Sequence, residues 1–416
     1  MVGTGIFTSL GFQVGALPSG FAIMALWAVG GVCALCGALS YAELGAALPR
    51  SGGEYRFLGT IYHPAVGFLA GWVSATVGFA APVALAAMAF GRYFAGLMPE
   101  ANAVVLSLAV VWVATLFLLR DVKMGSAFQN VSTLLKVALI LVVIAAGFLI
   151  TQVQPVSFFP APGDGALMRS APFAVSLVYV MYAYSGWNAS TYIVGEMRNP
   201  GRDIPRSVGL GTLLVMLLYL GVNAAFLRST PTAEMAGKVE VGLTAGPYLF
   251  GATGTAVMAG LICAGLVSSI SAMMWIGPRV TMAMGEDLAP LRWLARKTAA
   301  GIPVRAILVQ FGVVNVLLLT STFEKVLTYV QFSLQVCSFL TVLGVIVLRF
   351  TQPALARPYR VWGYPVTPLV FLAISAWMLA YVWREHPVES LWGLATMALG
   401  LVIYFLVPSD SARSGK

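Results

Sequence analysis

The chain has 416 residues, of which 59% are hydrophobic and 9% charged, against about 25% charged in a soluble globular domain. That excludes an ordinary soluble enzyme. Lysine and arginine number 24 against 15 acidic residues, a net charge of +9, but they stand singly or in short groups between apolar runs, which excludes a nucleic-acid-binding patch and suits the water-facing ends of membrane helices.

A bilayer-crossing helix needs about 20 mostly apolar residues, and that ruler divides the chain into twelve spans: 1–18 (short), 21–48, 65–96, 101–119, 126–150, 171–196, 206–227, 243–284, 304–321, 325–350, 366–384 and 389–407. The fold class this predicts is an all-α membrane protein. With the first span starting in the cytoplasm, sixteen Lys and Arg fall in inner loops, among them Arg50, Arg120, Arg198, Arg202, Lys297, Arg357 and Arg360, and six in outer ones. The excess predicts both termini inside a plasma or inner membrane. The chain opens at Met1-Val2-Gly3 with few apolar residues before Pro18, so part of the first span is expected upstream, beyond a start assigned too far along or a truncated gene. Cys33, Cys36, Cys263 and Cys337 lie in apolar runs, which points away from disulfides and metal. No GxxxxGK[ST] or catalytic Ser/His/Asp set is visible, so neither an ATP-driven pump nor an enzyme is indicated, and no cofactor is implied.

Inside lipid every backbone polar group must be satisfied, so broken helix is tolerated only against protein or a watery cavity. Two glycine-containing interruptions stand out, Gly3-Thr4-Gly5-Ile6-Phe7 in the first span and Tyr184-Ser185-Gly186-Trp187-Asn188 in the sixth. If five-helix halves repeat, these are matching positions, and paired interruptions mark the substrate site of an inverted-repeat transporter. The alternative is that the glycines serve only close helix packing.

These two motifs, Glu196-Met197-Arg198-Asn199-Pro200 after the second, and Arg357-Pro358-Tyr359-Arg360-Val361-Trp362-Gly363-Tyr364-Pro365 near the end together resemble the amino acid-polyamine-organocation superfamily, most closely its L-amino acid transporter-like permeases. The resemblance implies a LeuT-like 5+5 inverted repeat with broken first and sixth helices: residues 1–150 as the first repeat, 171–350 as the second, and 366–407 as two added helices. It also implies a half-helix before the first motif, which this sequence lacks. The activity implied is secondary amino acid transport by alternating access, as a sodium-independent exchanger or proton-linked carrier.

An amino acid zwitterion can be held at the midplane without a protein charge, by free N–H groups of one half-helix and free carbonyls of another. On the resemblance, N–H groups around Gly3, Thr4, Gly5 and Ile6 hold the carboxylate, and carbonyls near Met1, Tyr182, Ala183 and Ser185 hold the ammonium. Tyr182 matches an aromatic that closes over the substrate from outside, and Asn188 a polar residue lining the site.

Lys136, alone in the apolar fifth span, is a functional candidate by its position, with snorkelling to the surface as the alternative. The resemblance puts it where sodium-coupled relatives hold sodium, tying the fifth span to the first. Glu43 near the inner end of the second span and Trp187 in the second motif are candidate coupling or gating residues; Glu43 otherwise pairs with an arginine at the membrane surface. Glu196, Arg198, Arg202 and Arg279 are a candidate inner gate network, and His63 and His386 mark span edges. The partners expected are a small amino acid and the bilayer, with no nucleic acid; oligomeric state is not fixed. Competing readings are a channel with a pore of broken helices, and a truncated, transport-inactive homologue or substrate sensor.

Overall fold

The computed structural model describes residues 2–50, 52–98, 100–120, 125–151, 153–287, 291–298 and 301–406, apart from the side chains of 125–129, 193 and 196. Among these residues the regular structure is helical throughout. In chain order the helices are α1 (Gly5–Val14), α2 (Gly20–Ala47), α3 (Glu54–Ile61), α4 (Pro64–Val73), α5 (Ala80–Ala95), α6 (Ala103–Arg120), α7 (Gly125–Leu149), α8 (Asp164–Leu167) and α9 (Ala171–Tyr184). They continue with α10 (Pro200–Ser229), α11 (Thr232–Met235), α12 (Val241–Phe250), α13 (Gly254–Asp287), α14 (Val304–Thr320), α15 (Phe323–Thr351), α16 (Val366–Glu385) and α17 (Pro387–Leu406).

Nine helical stretches among the described residues are long and apolar enough to cross a membrane, and three shorter apolar helices, α1, α9 and α14, fill the remaining expected spans. Helix starts follow local chemistry. The Ser19 side chain accepts the Ala22 N–H at 3.2 Å to cap α2, and His63 caps α4 by accepting the Ala65 N–H at 3.2 Å, with Pro64 at a first position that needs no N–H donor. Between α4 and α5 the third span is widened by a π-turn, Ser74–Gly78, in which the Phe79 N–H reaches back to the Ser74 carbonyl at 3.2 Å.

Two spans differ from the expected ones. The eighth, expected as one span over 243–284, is split: α12 ends at Phe250, before Gly251, whose φ of 68° leaves the right-handed helical region, and α13 starts afresh at Gly254. The seventh starts at Pro200 rather than 206, because proline suits the first helical turn.

Helix α10 lies along α2, α7 packs on α10 and α13, α13 runs beside α5, and α9 packs on α1, α2 and α16. Large apolar side chains such as Leu116, Phe117, Leu134, Leu149 and Phe405 remain exposed, the surface that lipid tails cover. Gly52 and Lys297 line one cavity, Gly201 packs on Pro358, and Arg357 reaches Glu43 near the end of α2, so the loops carrying Arg50, Arg198, Lys297, Arg357 and Arg360 gather at one end of the bundle, here termed the basic face.

At that face Glu43 joins three elements. It is 2% exposed and accepts Nε of Arg349 at 2.9 Å and Nη2 at 2.6 Å, a forked pair between α2 and α15. The Val361 N–H adds a third hydrogen bond at 2.6 Å. Arg357 brings its charge to 3.6 Å while its terminal nitrogens donate to the Leu348, Gln352, Pro353 and Leu355 carbonyls. Glu43 thus pairs with arginine, as its alternative reading held, but buried rather than at the surface. Removing one partner of a buried pair costs about 3–5 kcal/mol, so Glu43→Gln is expected to lower the thermal unfolding midpoint of detergent-purified protein by several degrees; an unchanged midpoint would contradict this role.

Candidate functional site

Both half-helices are too short to cross a bilayer. At about 1.5 Å per residue, α1 with 10 residues and α9 with 14 each reach roughly from one surface to the midplane. Helix α1 begins at Gly5 after non-helical Val2–Thr4, and its first N–H groups have no intrahelical acceptor, except that the Phe7 N–H turns back to the Thr4 carbonyl at 3.0 Å. Helix α9 ends at Tyr184 because Ser185 is extended and Gly186 has a φ of 96°, a conformation that glycine adopts without strain. A 3₁₀ segment, Trp187–Glu196, continues the chain.

The two breaks meet. A Cβ placed on Gly5 would lie 2.5 Å from the Ala183 Cα, so only glycine allows this approach of backbones. The Tyr182 side chain meets that of Thr4. The Tyr219 hydroxyl of α10 donates to the Ala183 carbonyl at 3.2 Å and lies beside the Gly3 backbone. Ile6 is fully buried behind them. Of the carbonyls expected to face an ammonium, that of Tyr182 already accepts the Ser185 N–H at 3.0 Å and hydroxyl at 2.7 Å, which fills both lone pairs. Ala183 keeps one lone pair beyond the Tyr219 bond. Met1 lies outside the described residues.

Lys136 points inward, 8% exposed, rather than snorkelling to a surface. Its ammonium donates to the Ser269 hydroxyl of α13 at 2.9 Å and to the Val2 carbonyl at 3.4 Å. Its stem packs beside Gly265 of α13, where a Cβ would stand 3.4 Å from the Lys136 Cγ, an ordinary contact. Among the described residues no carboxylate lies within ion-pair distance of it. A cavity of about 10 Å³ lies beside Lys136, lined also by Val2, Gly3 and Phe7, room for about one water.

Asn188 and Trp187 belong to a second cluster. The Asn188 amide donates to Oε1 of Glu54 at 3.4 Å, which also accepts the Tyr41 hydroxyl and, at 3.2 Å, the Ser338 hydroxyl. Glu54 is 1% exposed and its second oxygen has no hydrogen-bond partner among the described atoms. Trp187 stacks edge-on against Tyr41, ring centres 4.7 Å apart, and against Phe371. Sequence reasoning passed over Glu54. Its signal was a lone acid after Gly52-Gly53, both of positive φ, a turn that starts α3 with its acidic residue at the positive end of the helix dipole.

Aromatic layers lie on both sides of the breaks. Toward the face opposite the basic one, Phe12 of α1 stacks on Tyr179 of α9 at 5.0 Å and on Phe323 of α15 at 6.1 Å, while the Tyr179 hydroxyl donates to Glu324 at 3.1 Å. Toward the basic face, Tyr192 meets Phe79 edge-on at 5.5 Å and packs with Val280; its hydroxyl is 3.5 Å from that of Ser74. In the expected inner network, Arg198 and Arg202 are exposed, Arg279 stacks over Trp275 at 3.8 Å, and the Glu196 side chain lies outside the described set. His386 approaches Glu389 at 4.0 Å.

The amino acid permease family model matches residues 1–407. The b(0,+)-type amino acid transporter 1 of Mus musculus is 26% identical, over 98% of this chain and 84% of its own length. The Asc-type amino acid transporter 1 of Mus musculus is 28% identical over 98% and 78% respectively, and the Large neutral amino acids transporter small subunit 2 of Mus musculus is 27% identical over 98% and 78%.

Proposed function

The chain belongs to the amino acid permease family, and we propose that it is a secondary carrier that exchanges neutral amino acids across a cell membrane without sodium. The observation that carries this reading is the backbone contact of Gly5 with Ala183, where the N-terminus of one half-helix adjoins the C-terminus of another. The names of the similar proteins, which specify amino acid transporters and in one case large neutral amino acids, support carriage over a channel or a sensor.

The substrate carboxylate takes the N–H groups of Thr4, Gly5 and Ile6, favoured by the positive end of the α1 dipole. The ammonium takes the carbonyls of Ala183 and Ser185 at the negative end of α9, since Tyr182 has no lone pair left. Tyr182 and Tyr219 wall the substrate against Thr4 and Gly3. Asn188 acts through Glu54 instead of touching the substrate in this state. The matching breaks in α1 and α9 support reading residues 1–150 and 171–350 as inverted repeats, with 366–407 appended. The positive-inside rule puts the basic face in the cytoplasm, so the Phe12–Tyr179–Phe323 stack closes the outer path and Tyr192 with Phe79 the inner one. Alternating access opens one layer while the other holds.

Lys136 supports the sodium-free reading. Its ammonium engages a carbonyl at the start of the first motif and a hydroxyl on α13, the oxygen types that would ligate a hard cation, and a fixed positive charge there repels a second one.

Two variants test this in liposomes with labelled L-leucine and L-alanine. Gly5→Val is expected to weaken equilibrium binding at least ~10²-fold, about 2.7 kcal/mol, because the branched side chain forces α1 from α9; unchanged affinity would move the site elsewhere. Lys136→Ala is expected to slow exchange at least ~10-fold in folded protein, and wild-type exchange to be the same in sodium and in choline buffer. Wild-type rates in the variant, or a sodium requirement in the parent, would overturn the role given to Lys136.

A further inference from the structure

Beyond the Tyr192 layer, at the basic face, lies a cavity of about 300 Å³, the low end of the size range of small-molecule sites. Arg56, Arg279, Lys297, Glu286, Trp275 and Tyr192 line it. The contact of Gly5 with Ala183 does not involve it. Its walls come from α3 and the turn before it, α6, α13, the start of α14 with the segment before it, and the 3₁₀ segment that follows the α9 break.

The lining is mixed in sign. Lys297 and Glu286 stand 3.9 Å apart, their side chains 46% and 52% exposed, too far for a direct hydrogen bond and too wet to be worth much as a pair. Arg56 is fastened more firmly: its guanidinium pairs with Asp287 at 2.8 Å, and the Tyr55 hydroxyl holds the same carboxylate at 2.6 Å. Arg279 lies flat on Trp275. A pure anion such as phosphate would meet the Glu286 carboxylate beside the cations, and Arg56 already spends charge on Asp287. A zwitterion meets complementary charge at both ends.

We propose that this cavity is a second amino acid site, an antechamber that captures the zwitterion with its carboxylate toward Lys297 and Arg56 and its ammonium toward Glu286, before passage to the midplane. The loose Lys297–Glu286 pair opens to admit the ligand, which replaces each partner. The inference rests on the transport reading and names where the substrate waits. Tyr192 is the partition between the two sites, six residues beyond Gly186 and thus about 12 Å along a 3₁₀ segment. That segment runs ten residues, although 3₁₀ helices of more than 3–4 residues are uncommon and often mark hinges. Its displacement would carry the Tyr192 ring off Phe79 and join the antechamber to the break. Gly53 lies directly beneath that ring, where a Cβ would come within 2.7 Å of it, so the turn before α3 is packed against the partition.

The test separates the two sites. Met282 also lines the cavity and is partly exposed; Met282→Cys is labelled with a maleimide in the full-length protein, against the parent as background. L-Leucine and L-alanine are expected to slow this labelling several-fold, and to do so equally when Gly5→Val has removed midplane binding. Adding Lys297→Gln with Glu286→Gln is expected to abolish the protection. With Gly5 intact, the same double variant in oriented proteoliposomes is expected to raise KM several-fold for uptake from the basic face and leave KM from the opposite face unchanged. Absence of protection in the Gly5→Val background, or equal KM changes at both faces, would overturn the antechamber while exchange by the parent still stands; absence of any exchange by the parent would instead fail the transport reading. Protection by inorganic phosphate equal to that by the amino acids would likewise overturn it, marking an anion site.

Discussion

Peptide groups inside lipid need partners, and the structure is organised around a place where two helix ends leave that requirement open. Gly5 and Gly186 end two half-length helices, α1 and α9, near the middle of the bundle. Their termini abut through Gly5 and Ala183, leaving backbone donors from one and acceptors from the other on common ground. A channel wall could be built from unbroken helices. A site for a small dipolar solute gains directly from this arrangement, because opposite helix ends supply opposite partial charge without the cost of burying an ionised side chain.

Three of the buried charges among the described residues hold the framework around that site. Lys136 connects α7 to the residues before α1 and to α13. Glu54 gathers Tyr41, Asn188 and Ser338, drawing together α2, the 3₁₀ segment and α15. Glu43 binds α2 to Arg349 and to the chain after α15. Each makes hydrogen bonds with at least two other elements, and the second oxygen of Glu54 is left without a hydrogen-bond partner among the described atoms.

Much of this was legible in the residues. Spans follow from apolar run length, the two breaks from glycine next to small polar residues, and the inward turn of Lys136 from a lone cation in an apolar run. Asn188 was read as lining the site, and its amide donates to Glu54, a partner the sequence could not name because it shows that a polar residue follows the break but not which neighbour the 3₁₀ geometry turns it toward. Glu54 was missed since its partners lie 13, 134 and 284 residues away, a separation with no local signature. The division of the eighth span at Gly251 was hidden because 243–284 is apolar on average in spite of Gly251 and Gly254: hydropathy reports the solvent, not the backbone angle. The saturation of the Tyr182 carbonyl depends on the Ser185 rotamer, which only coordinates reveal.

If bare helix ends grip both charges of the substrate, each charge should be indispensable. Competition binding against labelled L-leucine, using leucinamide, which lacks the carboxylate, and 4-methylpentanoate, which lacks the ammonium, measures this directly. The account predicts that each analogue binds at least ~10²-fold more weakly than L-leucine, about 2.7 kcal/mol. Either analogue competing as well as L-leucine would contradict it.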